Sequence, residues 1–259
     1  MRIALVHDWL IRLGGAERVL IALHDLFPDA PLYTSVYNPK TAPWANIFDV
    51  RTSFLQQFPY ASSNHELYAT LMPIAFESFS FDECDLVISV TSEAAKGIIT
   101  KPGTVHICYC LTPTRYLWSA YEEYFKDKIF RILAAPIVSY LRKWDKSASH
   151  RPDAYIAISK EVQGRIKKYY ERESTVVYPP IMLDQISNIK NQKSNEKSYF
   201  LIVSRLVLYK RIDIAIQACN ELKLPLKIVG TGSQEMRLRS IAGSTIEFLG
   251  NLTEEQLFN

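Results

Sequence analysis

The stretch Ile3-Ala-Leu-Val-His7, followed by Leu13-Gly-Gly-Ala-Glu-Arg18, decides the fold class of this chain. The first segment is the short apolar run of a buried strand. Apolar side chains then recur at helical spacing over residues 16–27, and Pro28 ends the helix. A buried strand that enters a helix through a glycine-containing loop is a building unit of parallel α/β sheets.

The same alternation continues towards the C-terminus. Helical patterns lie between most of the strand-like segments, which indicates a parallel sheet with helices on both faces. Antiparallel sandwiches are disfavoured, because the sequence has no Asn-Gly or Asp-Gly hairpin signal. The further strands predicted up to residue 178 are Pro31–Val36, Asp85–Val90, Val105–Tyr109, Ala154–Ile158 and Thr175–Tyr178.

A polar segment divides the chain into two predicted domains. Residues 1–183 form the first domain, and 184–198, which lack a sustained apolar face, are predicted as a linker. Residues 199–259 begin a second α/β domain. Because about 60 residues make only a marginal core, we expect the chain to be a fragment whose second domain is incomplete.

The second domain repeats the strand and helix alternation of the first. Its predicted strands are Tyr199–Ser204, Leu226–Val229 and Thr245–Leu249. Its predicted helices are Lys210–Leu222 and 233–242, and Thr253 is predicted to cap another helix.

Composition is that of an ordinary globular protein. The 259 residues are 48% hydrophobic and 22% charged, which excludes a disordered or collagen-like chain. The net charge of +3 gives no argument for a nucleic-acid partner. Four cysteines do not make a disulfide framework in a chain of this length. The N-terminal apolar stretch is too short for a signal peptide, so we expect a cytoplasmic location.

Two glycines, Gly14 and Gly15, stand where the first strand enters its helix. Glycine lets backbone N–H groups approach a ligand closely, and the N-terminus of a helix attracts anions. The alternative interpretation is a tight turn without a ligand. The complete G-x-G-x-x-G fingerprint of dinucleotide-binding proteins is absent here.

Two cations, Arg205 and Lys210, follow the first strand of the second domain. The carboxyl ends of parallel strands line the ligand crevice of α/β proteins, so both side chains could converge on a diphosphate without a metal ion. A solvated basic loop is the alternative. Gly230 and Gly232 follow the next strand, where their backbone could pack against a base or a phosphate, or simply form a turn.

Aromatic and basic side chains crowd the loop after the strand Val105–Tyr109. Arg115, Tyr116 and Trp118 suit the recognition of a sugar or phosphate, and core packing of the aromatic rings is an equal alternative. Among the five histidines, His7 is placed for a role in a site, because it lies at the end of a strand.

Two cysteines of the same strand, Cys108 and Cys110, have no nearby histidine or further cysteine ligands. We expect them to be buried hydrophobic residues, and no metal site is predicted.

Residues 126–151 combine seven basic and two acidic residues with many apolar ones. A basic amphipathic helix can lie on an anionic lipid surface. The alternative is a helix that packs on its own domain and exposes a solvated face.

Taken together, these motifs resemble those of retaining glycosyltransferases of family 4, over the whole chain from Met1 to Asn259. The resemblance implies the GT-B fold, in which two Rossmann-like domains form the protein. The motifs that carry it are Met1–Leu10, Gly14–Arg18, Arg51–Leu55, His106–Cys110 with Thr112-Pro113, Tyr178–Pro180, and Ser204–Leu206 with Tyr209–Arg211.

The function implied by this resemblance is the transfer of a sugar, with retention, from a nucleotide-diphosphate donor to a glycan or lipid-linked acceptor. Cell-surface polysaccharide synthesis is the expected context, with contact of 126–151 at the inner face of the membrane. No cofactor or metal is expected, and the resemblance assigns no catalytic nucleophile, so the catalytic residues are unknown.

Site roles follow from the resemblance as well. Gly14 and Gly15 would face the donor diphosphate, and Arg205 and Lys210 would hold it and stabilise the leaving nucleotide. The nucleotide pocket would be shaped by Gly230 and Gly232. The acceptor-side candidates are His7, Arg115 and Tyr116.

Two departures from the family pattern predict weak or absent turnover by this polypeptide alone. Leu111 stands where the family has the histidine of Cys-His-Thr-Pro, and leucine neither donates a hydrogen bond nor titrates. The Glu-x7-Glu motif, whose carboxylates contact donor sugar and ribose in the family, should lie beyond Asn259. A non-catalytic pseudoenzyme or acceptor-binding module is therefore the alternative function.

Overall fold

The computed structural model describes residues 1–181, 198–253 and 256–257. The chain consists of two compact units, Met1–Ile181 and Met182–Asn259. Apart from Ser198, the predicted linker 184–198 lies outside the described residues.

Seven parallel strands form the sheet of the first unit, in the order β3-β2-β1-β4-β5-β6-β7. The strand order reverses between β1 and β4, which is the topological switch point of a doubly wound sheet. The strands are β1 (Ile3–His7), β2 (Leu32–Thr34), β3 (Val50–Thr52), β4 (Leu86–Thr91), β5 (Val105–Cys110), β6 (Ala154–Ala157) and β7 (Thr175–Val176).

Five α-helices and four short 3-10 turns connect these strands. The Ser159 side chain accepts a hydrogen bond from Val162 N at the start of α5, and Asp127 accepts one from Phe130 N at the start of α4. The helices are α1 (Gly15–Leu26), α2 (Met72–Glu77), α3 (Tyr121–Tyr124), α4 (Lys128–Ala148) and α5 (Lys160–Tyr170). The 3-10 turns are Pro43–Ile47, Phe54–Gln57, His65–Tyr68 and Ala95–Gly97.

Hydrophobic clusters cover both faces of this sheet. Ala4 and Val6 of β1 belong to one cluster, whereas Leu5 between them belongs to another. Since successive side chains of a strand point to opposite faces, β1 is buried on both sides and reads as a continuous apolar run. The predicted parallel α/β class is therefore confirmed.

The second unit has a parallel sheet in the order β10-β9-β8. Its strands are β8 (Phe200–Val203), β9 (Leu226–Val229) and β10 (Ile246–Gly250), and its helices are α6 (Ile212–Leu222) and α7 (Glu235–Ile241). The helix predicted from Lys210 begins only at Ile212, because Leu208–Lys210 form a 3-10 turn and Arg211 adopts φ 49°. Thr253 caps as predicted, since its Oγ1 accepts a hydrogen bond from Gln256 N at 3.2 Å.

The two halves of helix α4 have different surroundings. Its second half packs on the first unit through Val138, Leu141, Asp145 and Ala148, which are buried. Its first half exposes large apolar side chains instead, and Ile132 is 72% exposed. The helix thus packs on its own unit and exposes an apolar face over its first half, and both interpretations of 126–151 stay open.

Candidate functional site

The candidate site of the first unit is the crevice at the carboxyl ends of β1 and β4. Chain segments that follow neighbouring parallel strands emerge at the same edge of a sheet, and the switch point leaves a crevice between them. The segments that reach this crevice are the loop 8–14 with the start of α1, residues 92–94 after β4, and residues 111–118 after β5.

Asp8, which is buried directly after β1, connects the end of β1 to the segment after β4. Its carboxylate accepts hydrogen bonds from Thr91 Oγ1 at 2.8 Å and from the backbone N–H groups of Ser92, Ala94 and Ala95 at 2.7, 3.0 and 2.9 Å. The segment after β4 is therefore fixed to the end of β1. Sequence reasoning missed Asp8, although an acidic residue directly after a buried strand was a usable signal.

His7 pairs with the first turn of α1. Its Nδ1 lies 2.6 Å from the carbonyl oxygen of Val90, and its Nε2 lies 3.9 Å from Glu17 Oε1. Burial lowers the pKa of His7, but the nearby Glu17 carboxylate, the charge of Asp8 and the Val90 carbonyl outweigh it and raise the pKa above 6.5.

The partner carboxyl group shifts in the opposite direction. Burial raises the pKa of Glu17, but the nearby His7 imidazole outweighs it, so the pKa lies below its ordinary value. This buried pair therefore favours its charged form, and it fixes the start of α1 against the ends of β1 and β4.

The two glycines at the start of α1 have different surroundings. A Cβ atom on Gly14 would lie 2.9 Å from Glu17 Oε2, so Gly14 makes room for the carboxylate that faces His7. A Cβ atom on Gly15 would have nothing within 4 Å. Gly15 thus lies beside open space at the positive end of the α1 dipole.

Tyr116 and Glu93 meet between the segments that follow β5 and β4. Burial and the charge of Asp8 raise the pKa of the half-buried Glu93 to about 8, although the neighbouring Tyr116 hydroxyl group and the charge of Lys96 oppose the shift. Burial and the Glu93 contact raise the pKa of Tyr116 well above its usual value. Arg115 is half-buried, and its Nη2 lies 3.9 Å from Glu123 Oε2.

A buried ion pair connects α4 to the segments that follow β4 and β5. Lys96 Nζ lies 2.5 Å from Asp145 Oδ1, and both side chains are at most 2% exposed. Asp145 also accepts hydrogen bonds from Thr114 Oγ1 at 2.9 Å and Trp118 Nε1 at 2.7 Å. Asp145 of α4 is therefore joined to both segments of the crevice, after β4 through Lys96 and after β5 through Thr114 and Trp118.

Three residues of β5 and of the loop that follows it lie in apolar surroundings. Cys108 and Cys110 are buried free cysteines, as predicted. Leu111 is half-buried against the hydrophobic cluster that contains Leu5, and its backbone N–H donates to Thr91 O at 2.8 Å. The side chain that replaces the expected histidine is therefore used for packing.

In the second unit, the two predicted cations gather around one ring at the carboxyl end of β8. Arg205 Nη2 donates a hydrogen bond to Tyr209 Oη at 2.8 Å, and Lys210 Nζ lies 5.6 Å from the centroid of the Tyr209 ring. All three side chains are exposed. Arg211, by contrast, is paired with Asp213 at 3.1 Å.

Gly230 and Gly232 are accounted for by close packing of the backbone. A Cβ atom on Gly230, whose φ is +128°, would run into the carbonyl oxygen of Ser204, and one on Gly232 would run into that of Leu206. The segments after β8 and β9 are joined by the hydrogen bond from Leu206 N to Thr231 O at 2.9 Å. A role in nucleotide binding stays a prediction for both glycines.

The described part of the chain contains no group of three or more His, Cys, Asp or Glu side chains that could hold a metal ion. A cavity of about 640 Å³ lies at the opposite, amino edge of the first sheet, where its lining includes Arg2, Tyr33 and Arg51. It is therefore separate from the crevice.

Comparisons with known proteins identify the fold. No protein-family model and no curated protein matches the chain. The solved structures that it resembles include HepE of Anabaena in complex with UDP, with a TM-score of 0.62 and 17% identity over 99% of this chain and 71% of that one. The complex of HepE with UDP-glucose gives a TM-score of 0.59 and 17% identity over 98% and 70%.

An epimerase is similar over the same extent. UDP-N-acetylglucosamine 2-epimerase from Rickettsia bellii gives a TM-score of 0.51 and 12% identity over 98% of this chain and 71% of that one. At these identities the likeness shows the fold alone. The fold is of the GT-B type, with Rossmann-like α/β units.

Proposed function

We propose that this protein is a glycosyltransferase that takes its sugar from a nucleotide-diphosphate donor. The observation that carries the proposal is the cluster of Arg205 and Lys210 around Tyr209 at the carboxyl end of β8. Two exposed cations at the ligand edge of a parallel sheet suit a diphosphate. The likeness to HepE, whose structures contain UDP and UDP-glucose, makes uridine diphosphate the first ligand to test.

Both cations would act on the leaving group during transfer. The acceptor hydroxyl oxygen bonds to the anomeric carbon and releases its proton, while the bond from that carbon to the diphosphate oxygen breaks and negative charge grows on the departing nucleoside diphosphate. The Arg205 guanidinium supplies two parallel donors and Lys210 a point charge, so no metal ion is needed for this step. The family resemblance adds retention of configuration, a glycan or lipid-linked acceptor, and a contribution of Gly14 and Gly15 to diphosphate binding.

Calorimetry with UDP and UDP-glucose tests the donor site. We expect Arg205→Ala and Lys210→Ala each to weaken UDP binding at least tenfold, because each removes a charge-assisted contact. Arg237→Ala, which removes another exposed cation of the second unit, is the matched control and should change the affinity less than twofold. If UDP binds equally well to all variants, or does not bind at all, the non-catalytic alternative is favoured.

We further propose that the first half of α4 docks on an anionic lipid surface. Ile129, Ile132 and Leu133 are each more than 70% exposed, and Lys126 and Lys128 are exposed beside them. An apolar face with flanking cations matches a bilayer interface with negatively charged headgroups. Among the described residues, no helix combines the length and the hydrophobicity that a membrane span requires.

Vesicle co-sedimentation tests this docking. We expect recovery with phosphatidylcholine vesicles that contain phosphatidylglycerol to exceed recovery with phosphatidylcholine alone, and to fall at high salt. The double variant Ile132→Asp, Leu133→Asp should abolish it. Leu26→Asp, at an equally exposed position at the far end of α1, is the control. Equal recovery with both vesicle types would contradict the proposal.

A further inference from the structure

A small cavity lies between the segments that follow β4 and β5. Its volume is about 10 Å³, which is the room that one water molecule or one hydroxyl group occupies. Its polar lining comes from Glu93, Thr114, Tyr116 and Asp145. The remaining lining is apolar and comes from Ala69, Met72, Pro73, Ala94, Leu117, Leu141 and Trp144.

The Glu93 carboxyl group has hydrogen-bonding capacity to spare among the polar groups of this cavity. Asp145 already accepts from Lys96, Thr114 and Trp118, and Thr114 is used in that contact. A carboxylic acid carries one donor and two acceptor oxygens, and the neighbouring Tyr116 hydroxyl group engages at most one of these positions.

Four neighbours determine the charge of Glu93. They are Asp8 from the loop after β1, Lys96 from the following turn, Tyr116 from the segment after β5, and Asp145 from α4. Burial and the two carboxylates raise its pKa to about 8, against the opposing effects of Tyr116 and Lys96. At pH 7 the group is therefore mostly a neutral acid, which both donates and accepts hydrogen bonds.

We propose that Glu93 and Tyr116 bind a hydroxyl group of a sugar in this crevice. The cavity has the size of one hydroxyl group, and a neutral acid beside a phenol offers the donor and acceptor that a hydroxyl group needs. The inference rests on the proposed function, because that function supplies the sugar. The sugar belongs either to the nucleotide donor or to the acceptor, and the chemistry of recognition is the same for both.

Calorimetry at pH 7 and pH 9 tests the proposal with three probes: UDP, UDP-glucose and methyl α-D-glucopyranoside. The protonated fraction of Glu93 falls from about nine tenths to about one tenth between these values. We expect the affinity for the sugar-bearing probe to fall about tenfold, because a bound sugar would cover the charged carboxylate and strip it of water. A change that UDP-glucose shows and UDP lacks assigns the donor sugar, whereas a change with the glucoside assigns the acceptor.

Two substitutions at the same position separate binding from mere structure. Glu93→Gln preserves a donor and an acceptor, so it should keep the pH 7 affinity within threefold and lose the pH dependence. Glu93→Leu should lose at least tenfold in affinity, and Tyr116→Phe should lose part of it. Glu122→Gln, at an exposed position of α3, is the control and should behave as the wild type.

Each outcome separates this inference from the proposed function. If UDP binds but Glu93→Leu leaves both sugar probes unaffected, the inference is overturned and the donor site stands. If the wild type binds neither sugar probe, the inference is overturned as well. If the glucoside binds in a Glu93-dependent way while UDP does not bind, the hydroxyl site stands and the proposed donor is wrong.

Discussion

Replacement of Asp145 by asparagine should destabilise the first unit more than any surface change. The substitution keeps the shape of the side chain but removes the charge that lies 2.5 Å from Lys96 Nζ. Burial lowers the pKa of Lys96, but the charge and hydrogen bond of Asp145 outweigh it and raise the pKa, so the wild-type lysine is charged at neutral pH. In Asp145→Asn, this ammonium group stays buried without a counter-charge.

The expected cost is about 3–5 kcal/mol, which is the range for breaking one side of a buried ion pair. A domain is stable by only about 5–15 kcal/mol, so this loss is a large share of the total. Lys96→Met should cost less, because the Asp145 carboxylate keeps its hydrogen bonds from Thr114 and Trp118. The double variant Lys96→Met, Asp145→Asn removes both charges and should recover part of the loss.

Urea denaturation followed by tryptophan fluorescence measures these differences. All four tryptophans lie in the first unit, and Trp118 and Trp144 lie beside the ion pair, so the signal reports this unit alone. A cost below about 1 kcal/mol for Asp145→Asn would refute the reasoning, as would a double variant that is less stable than Asp145→Asn. Either result would mean that water or a rearranged neighbour compensates Lys96.

Three further predictions concern stability. Asp8→Asn should cost about 1–3 kcal/mol of unfolding free energy, because an amide N–H₂ group would face backbone N–H groups that now donate hydrogen bonds to the carboxylate. The exposed control Asp25→Asn should change the free energy measured by fluorescence by less than about 0.5 kcal/mol. Gly232→Ala should destabilise the second unit by about 1–3 kcal/mol, because the added Cβ atom would clash with the backbone. Gly164→Ala, in open space within α5, should stabilise the first unit by about 0.5–1 kcal/mol. Hydrogen exchange resolved by unit distinguishes the two variants, and equal effects would contradict the packing argument. The folded-state pKa of Glu93 lies above its unfolded value of 4.5, so the folded state keeps a proton that the unfolded chain has lost. The free energy of unfolding should therefore fall by up to about 1.4 kcal/mol per pH unit between roughly pH 4.5 and 8. Glu93→Gln should flatten this slope in unfolding measured across that range.

The parallel α/β class was predictable because it depends on local patterns. Strands such as β1 and β4 are buried on both faces, so they appear in the sequence as short apolar runs, and helices appear through their 3.6-residue period. The strand Val50–Thr52 was not predicted, because it has three residues and an exposed arginine at its centre. Its pairing with β2 supplies what the local pattern lacks.

Partners distant in the chain explain what the sequence analysis missed in the site. Asp8 bonds residues more than 80 positions away, and Lys96 meets Asp145 across 49 positions. The sequence around one member of each pair contains no pattern that indicates the other member. Gly14 shows a different limit, because Glu17 and His7 are close to it in the chain, but only the folded structure places the Glu17 carboxylate against Gly14 and facing His7.

The sequence by itself determined the alternation of strands with helices, the glycine-containing start of α1 and the cations after β8, because these follow from periodicity and residue type over short windows. Only the tertiary structure decided that β1 and β4 are neighbours, that Asp8, Glu93 and Tyr116 line one crevice, and that the first half of α4 is exposed. Charge and burial depend on which segments approach in space. A carboxyl group such as Glu93 therefore acquires its protonation state from the fold and not from its neighbours in the chain.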